Sequence, residues 1–229
     1  MTDKAAAPPP EPPDKFHREL AELKERLLHL ARLAEAAIDR AVTALLENSA
    51  ALARQVIVGD GAINDLEEAI DAHCVRLIAL YQPVAIDLRQ VMAVDHLIME
   101  LERIGDLAVN IAEEALTLTH FPREKLHPEL PRMAQMVLDM VRRSLTAFME
   151  QDPAAAREVC RADDDVDHLD RSIIQDLLGD MVDTEAIPVC QSQINVVRHL
   201  ERVGDHATNI AEQVVYMVEG ESVRHRCQG

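Results

Sequence analysis

Residues 101–118 read LERIGDLAVNIAEEALTL, and residues 200–217 read LERVGDHATNIAEQVVYM. Each copy places a Glu, an Asp and an Asn at four-residue intervals: Glu102, Asp106 and Asn110, then Glu201, Asp205 and Asn209. On a helix this spacing stacks the three side chains along one stripe. Leu97, Leu101, Ile104, Ala108 and Ile111 fall on the other side and form an apolar face. The pattern is that of an amphipathic helix met twice.

The repeat extends outward from these motifs. Asp60, Ile63, Leu66 and Glu67 recur as Asp163, Val166, Leu169 and Asp170 at an offset of 103 residues, and the motifs themselves recur at 99. Two copies of a three-helix unit account for this, the second having lost four residues between its last two helices. The first helix runs from about Phe16 and is interrupted at Asn48-Ser49. Gly59-Asp60-Gly61 breaks the chain, with Asp60 as N-cap of a second helix ending before Pro83. A third spans about 85–119. The fourth covers 131–149, the fifth opens at Asp163 or Asp164 after an Asp152-Pro153 start, and the sixth follows Pro188 and ends at Gly220. The fold class is therefore all-α: two tandem antiparallel three-helix bundles over 15–121 and 122–220. The Pro- and Ala-rich residues 1–14 read as a disordered leader and 221–229 as a flexible tail.

Composition agrees with helices. Of the 229 residues, 48% are hydrophobic but only 2% aromatic, so Leu, Ile, Val, Ala and Met must build the core. The formal charge is −18, from 23 Lys and Arg against 41 Asp and Glu. That disfavours nucleic acid, whose phosphates need clustered cations, and favours a cationic ligand or a basic partner. The four cysteines form no CxxC pair, which fits a reducing, cytoplasmic compartment. No apolar run is long enough for direct membrane insertion.

Like charges four residues apart on a helix repel, so two matched acidic stripes invite a cation. The ordinary alternative is a solvated face of an acidic helix, or pairing with the adjacent Arg103 and Arg202. Recurrence of the stripe, with an interior glycine in each (Gly105 and Gly204), favours a site. Glu35 and Asp39 on the first helix repeat the i,i+4 spacing, as do Glu67 and Asp71 on the second. If such pairs face each other, four hard carboxylates converge on a divalent or trivalent ion such as Mg, Mn, Ca or iron. His199 and His206 are weaker candidate ligands.

Both ERxGD…NIAE segments, the run CVRLIALYQPVAIDLRQVM at 74–92 and GESVRH at 220–225 resemble the PhoU family. The resemblance covers almost the whole folded chain. It implies two three-helix bundles, no catalysis, and negative regulation of the phosphate-starvation response and of phosphate uptake. The implied partners are a phosphate ABC transporter ATPase and a PhoR-type sensor histidine kinase, with a homodimer left open and recruitment to the inner membrane through those partners. It also implies multinuclear iron or zinc held by paired E/D-xxx-D motifs. Carried onto this chain, the ligands are Glu35, Asp39, Glu102, Asp106 and Asn110 in the first repeat, and Glu201, Asp205 and Asn209 in the second. The second repeat has Leu138 and Arg142 where Glu35 and Asp39 stand, so its cluster is weaker, absent, or completed by Asp167 or Asp170. Two other readings remain: a carboxylate-bridged helical-bundle metalloenzyme, for which only Glu124 and His127 have the Glu-x-x-His spacing, and a transporter-associated bundle for another anion.

Overall fold

The computed structural model describes residues 14–121 and 126–220, which contain helices and no strand. The leader through residue 13, the tail from 221 and the segment 122–125, including Glu124, lie outside the described residues.

Helix α1 (Lys15–Glu47) is capped by Asp14, whose carboxylate accepts from the His17 amide, and it ends at Asn48 in the left-handed region. Ser49 caps α2 (Ala50–Gly59), which continues almost without a break into α3 (Gly61–Tyr81). Gln82, left-handed with φ 47°, turns the chain into α4 (Ala85–Leu118). The second unit is simpler: α5 (Leu130–Glu150), α6 (Pro153–Asp180) and α7 (Ile187–Glu219). Asp152 caps α6 through the amides of Ala154 and Ala155, and Gly220, at φ 75°, ends α7. The expected pair of three-helix bundles is present, with α2 and α3 together matching α6.

Of the two expected helix starts, Asp60 does precede α3 but does not cap it through its side chain, and Asp163 starts no helix. Asp60 has helical dihedrals and makes no side-chain capping bond, and its carbonyl accepts from the Ile63 and Asn64 amides. Asp163 lies ten residues inside α6 and is buried. Acidic residues after a Gly-rich or polar stretch imitate caps in sequence. Here α6 runs through Asp163, Asp60 sits at the junction of α2 and α3, and neither side chain is used as a cap.

Within each unit the helices run up, down and up, so α1 parallels α4 and α5 parallels α7. The units meet through α4 and α7, which cross antiparallel: Asn195 near the start of α7 donates to Glu114 near the end of α4 at 2.7 Å. Midway, Glu100 accepts from Asn209 at 3.1 Å and lies 2.6 Å from His206 Nδ1. A continuous core of Leu, Ile, Val and Ala from all seven helices lies behind these contacts, including Leu23, Leu30, Ile38, Leu101, Ile111, Val141, Val166 and Val203.

The interior glycines let the helices close. A Cβ on Gly105 would stand 3.0 Å from Ile63 Cδ1, tighter than side chains normally allow, whereas one on Gly204 would meet only Asp163 Oδ1 at 3.4 Å and Met140 and Val166 at 3.7 Å. Removing a helical glycine otherwise stabilises by up to ~1 kcal/mol. Gly204→Ala is therefore expected to gain most of that amount and Gly105→Ala to gain less or lose, as read from paired urea-unfolding curves. Equal effects at the two sites would contradict this packing.

Candidate functional site

The acidic residues gather at two seams, one in each unit, related by the internal repeat. In the first, Asp60, Asn64 and Glu67 on the α2–α3 rod face Glu102 and Asp106 on α4. Burial raises the carboxyl of Glu102 above its ordinary value, with Asp106 and Asp60 adding repulsion. Asp60 is raised by burial against the pull of its hydrogen bond from Asn64 Nδ2, at 3.1 Å. Burial raises Glu67 too, beside Asp71, Glu102 and Asp95. Asp60 Oδ1 and Asn64 Oδ1 are buried without a hydrogen-bond partner.

The second seam has the same plan and more charge. Asp163, Asp167 and Asp170 come from α6, with Glu201 and Asp205 from α7. Asp163 is 8% exposed, and its carboxyl is pushed up to about 7 by burial first and then by Asp205, Asp167 and Glu201. Glu201 and Asp205 are also raised, chiefly by burial and then by each other's cluster. Asp170 is buried with one oxygen unpartnered, although Arg198 approaches the other at 3.5 Å. In the first seam Arg103 reaches Glu102 at 3.5 Å and Asp106 at 3.6 Å, as the structural alternative for that arginine anticipates.

The glycines explain why these acids sit where they do. Asp60 Oδ1 stands 3.5 Å from the Cβ position of Gly105, and Asp163 Oδ1 stands 3.4 Å from that of Gly204. In each unit an aspartate of the rod alongside thus lies at contact distance over the glycine of the motif helix.

Several expected partners are elsewhere. Glu35 and Asp39 do not meet Glu102 and Asp106. Their side of α1 faces α5, where Arg142 donates to Glu35 at 2.6 Å and lies 3.8 Å from Asp39. The arginine that replaces Asp39 in the repeat is thus the counter-ion of Glu35 and Asp39. Asn209 turns away from Glu201 and Asp205 to bond Glu100, and His206 does the same. Asn110 is half-buried on α4. Asp71 is exposed and adds charge beside Glu67. His199 is half-buried, with its imidazole shifted down by burial and its Nδ1 unpartnered. In the second repeat Asp167 and Asp170, from the fifth helix of the sequence reading, stand close enough to raise the carboxyl of Glu201.

Asp60, Asn64 and Asp163 are not among the site residues expected from the sequence, although the signal exists. Asp60-xxx-Asn64 and Asp163-xxx-Asp167 have the i,i+4 spacing and correspond at the 103-residue offset. Reading Asp60 and Asp163 as caps hid it. The donor set is all hard oxygen, with orphaned buried carboxylate atoms, which suits a cation of the magnesium, manganese or iron type. Among the described residues, no group of three or more His, Cys, Asp or Glu side chains closes into a cage for one ion. His127, the imidazole of the Glu-x-x-His spacing, pairs instead with Asp176 at 3.3 Å, away from both seams.

The raised carboxyls fix a pH dependence. Folded Asp163 holds a proton up to about pH 7 that the unfolded chain releases near its ordinary 3.8. Its contribution to stability is therefore full below about pH 4 and is lost as pH rises through 7. For chelator-treated protein, Asp163→Asn should stabilise at pH 8 by roughly 2–4 kcal/mol and change little at pH 4. Denaturant midpoints across that range check it, and an unchanged slope would refute the assignment.

Comparison with known proteins places this geometry. The PhoU domain matches twice, over residues 27–115 and 130–214. A phosphate-specific transport system accessory protein PhoU homolog of Aquifex aeolicus is 40% identical over 213 residues, covering 93% of this chain and 96% of its own. The Escherichia coli (strain K12) protein of that system is 35% identical over 212 residues, with 92% and 88% covered. The crystal structure of PhoU from Pseudomonas aeruginosa superposes with a TM-score of 0.88 at 36% identity, covering 90% of this chain and 100% of that one. The phosphate transport system regulatory protein PhoU from Streptococcus pneumoniae gives 0.86 at 32%, covering 91% and 99%.

Proposed function

This chain belongs to the PhoU family, and from that premise we propose that it is an accessory regulator of phosphate uptake. In this reading it acts in the cytoplasm as a non-catalytic adaptor between a phosphate ABC transporter ATPase and a PhoR-type sensor histidine kinase, and restrains the starvation response when phosphate is plentiful. The observation that carries the proposal is the double match to the PhoU domain across both helical units, within relatives named for phosphate transport. The absence of any helix long and apolar enough to cross a membrane among the described residues accords with docking on a membrane complex.

The two acidic seams are the proposed cation sites of this adaptor. Asp60, Glu67, Glu102 and Asp106 would hold ions in the first, and Asp163, Asp167, Asp170, Glu201 and Asp205 in the second. Bound cations of the iron, zinc or manganese class supply positive charge that offsets carboxylate repulsion. The chain's own residues do the rest: the glycines set helix spacing, and Arg103 and Arg198 trim the excess charge.

Two measurements test this reading. Untagged protein is expected to capture the transporter ATPase or the kinase from phosphate-replete cells; failure to retain either would count decisively against the adaptor role. Glu201→Ala with Asp205→Ala should lower the metal content per chain by elemental analysis while leaving the helical circular dichroism intact. An unchanged metal count would take α7 out of the site.

A further inference from the structure

The first three turns of α1, residues 15–26, precede the segment that matches the PhoU domain, which begins at residue 27. They lie against the end of α3. Phe16 packs edge-on against Tyr81, with ring centroids 5.7 Å apart, and the Tyr81 hydroxyl donates to Glu19 Oε1 at 3.0 Å. The other oxygen of Glu19 stands 3.5 Å from Arg76 Nη2 and 3.9 Å from His73 Nε2. That oxygen is buried without a hydrogen-bond partner among the described residues. Lys24 donates to Gln90 of α4 at 2.9 Å.

His73, on α3 beneath this segment, is 4% exposed, and neither ring nitrogen has a hydrogen-bond partner among the described residues. A neutral imidazole carries one N–H donor, so its burial here leaves that donor unmet at a free-energy cost. The charges acting on the ring are mixed: Glu19, Glu22 and Arg26 from α1, and Arg76 from α3 itself. On α4, Asp87 faces Lys24 and His17, while Asp95 faces Cys74 and Asp71. Burial first, then Arg76 and Arg26, hold the imidazole below its ordinary value against the pull of Glu22 and Glu19. At the 103-residue offset the second bundle has the exposed Asp176, so the arrangement belongs to the first bundle alone.

We propose that residues 15–26 form a strap, latched by Glu19 over His73, which opens when His73 takes up a proton. With the strap closed, that proton makes a buried cation beside Arg76 and Arg26. Glu19 Oε2 is 3.9 Å away and already shared with Arg76, so it compensates poorly. Once the strap lifts, water solvates the ring and the imidazole regains its ordinary basicity. The open form therefore binds the proton more tightly, and acid favours opening by linkage. The contribution of His73 to closure is full above about pH 6.5 and is lost as the pH falls below it. One proton shifts the opening equilibrium by at most about tenfold per pH unit. His17, the other imidazole of the strap, lies beside Asp14 and Asp87, so a proton there favours closure and works in the opposite sense. Opening bares His73 and Tyr81 at the end of α3. The device uses neither acidic seam and stands apart from the adaptor reading.

The test is hydrogen exchange, read by mass spectrometry on the full chain at pH 7.5 and 5.5, with rates referred to an unstructured peptide standard. Protection of the amides of residues 19–26 is expected to fall about threefold or more at the lower pH, while α5 keeps its protection. His73→Leu cannot take a proton and should show equal strap protection at both pH values. His17→Gln should retain the fall or enlarge it. Four results would overturn the proposal: unchanged strap protection in the unmodified chain, a fall that survives in His73→Leu, a fall abolished by His17→Gln, or an equal fall throughout α5. Circular dichroism checks that each variant is folded. Should the leucine variant not fold, an NMR titration of the His73 ring decides. A midpoint below that of an ordinary histidine, tracked by strap exchange, supports the latch, and a midpoint at or above it refutes the latch.

Discussion

A carboxylate pressed against the backbone of a neighbouring helix organises each half of this molecule. Asp60 leans over Gly105, and Asp163 over Gly204, within 3.5 Å of where a Cβ would stand. At Gly105 a Cβ would also press on Ile63 at 3.0 Å, whereas at Gly204 it would meet its neighbours at ordinary contact distance. The rest of the acidic stripe lies close by, because Glu102 and Asp106, or Glu201 and Asp205, are one turn apart and flank the glycine at three residues before and one after. Burial raises these carboxyls, and their mutual repulsion raises them further. The seam is thus a place where folding has left electrostatic free energy unrelieved.

The two seams are unequal for a reason visible in their neighbours. Arg103 stands beside Glu102 and Asp106, while in the second unit Arg198 pairs with Asp170, and among the described residues no ion pair reaches Asp163. Asn64 in the first becomes Asp167 in the second, which adds one more charge. The second seam is accordingly the more strongly acidic. Exposed pairs such as Arg142 with Glu35 and Asp39 contribute little to stability, typically about 0–1 kcal/mol, but they give those acids a cationic partner on α5.

The α4–α7 contact makes one body of the two units. Glu100, His206 and Asn209 occupy its middle and Glu114 with Asn195 its end. Polar groups at such an interface fix register, since each must find its partner. Two residues that look like members of the acidic site from sequence, His206 and Asn209, are spent on this register. The repeat therefore has two uses for one motif: its Glu and Asp serve the seam, and in the second copy its Asn serves the joint.

Much of this was legible in the chain. The duplicated ERxGD motif, the 103- and 99-residue offsets and the helical period set an all-α fold of two related bundles, because hydrophobic spacing fixes which face is buried. The same pattern marked Glu102, Asp106, Glu201 and Asp205 and the significance of Gly105 and Gly204. Sequence spacing describes one helix at a time, however, and says nothing about which rod lies alongside. Only tertiary packing decided that the α2–α3 rod and α6, and not α1, face the motif helices. That choice turned Asp60 and Asp163 from apparent caps into the centre of the seams, and Glu35 and Asp39 into partners of Arg142. Local periodicity dictates what a helix can bury; the fit of glycine against aspartate between helices dictates which charges meet.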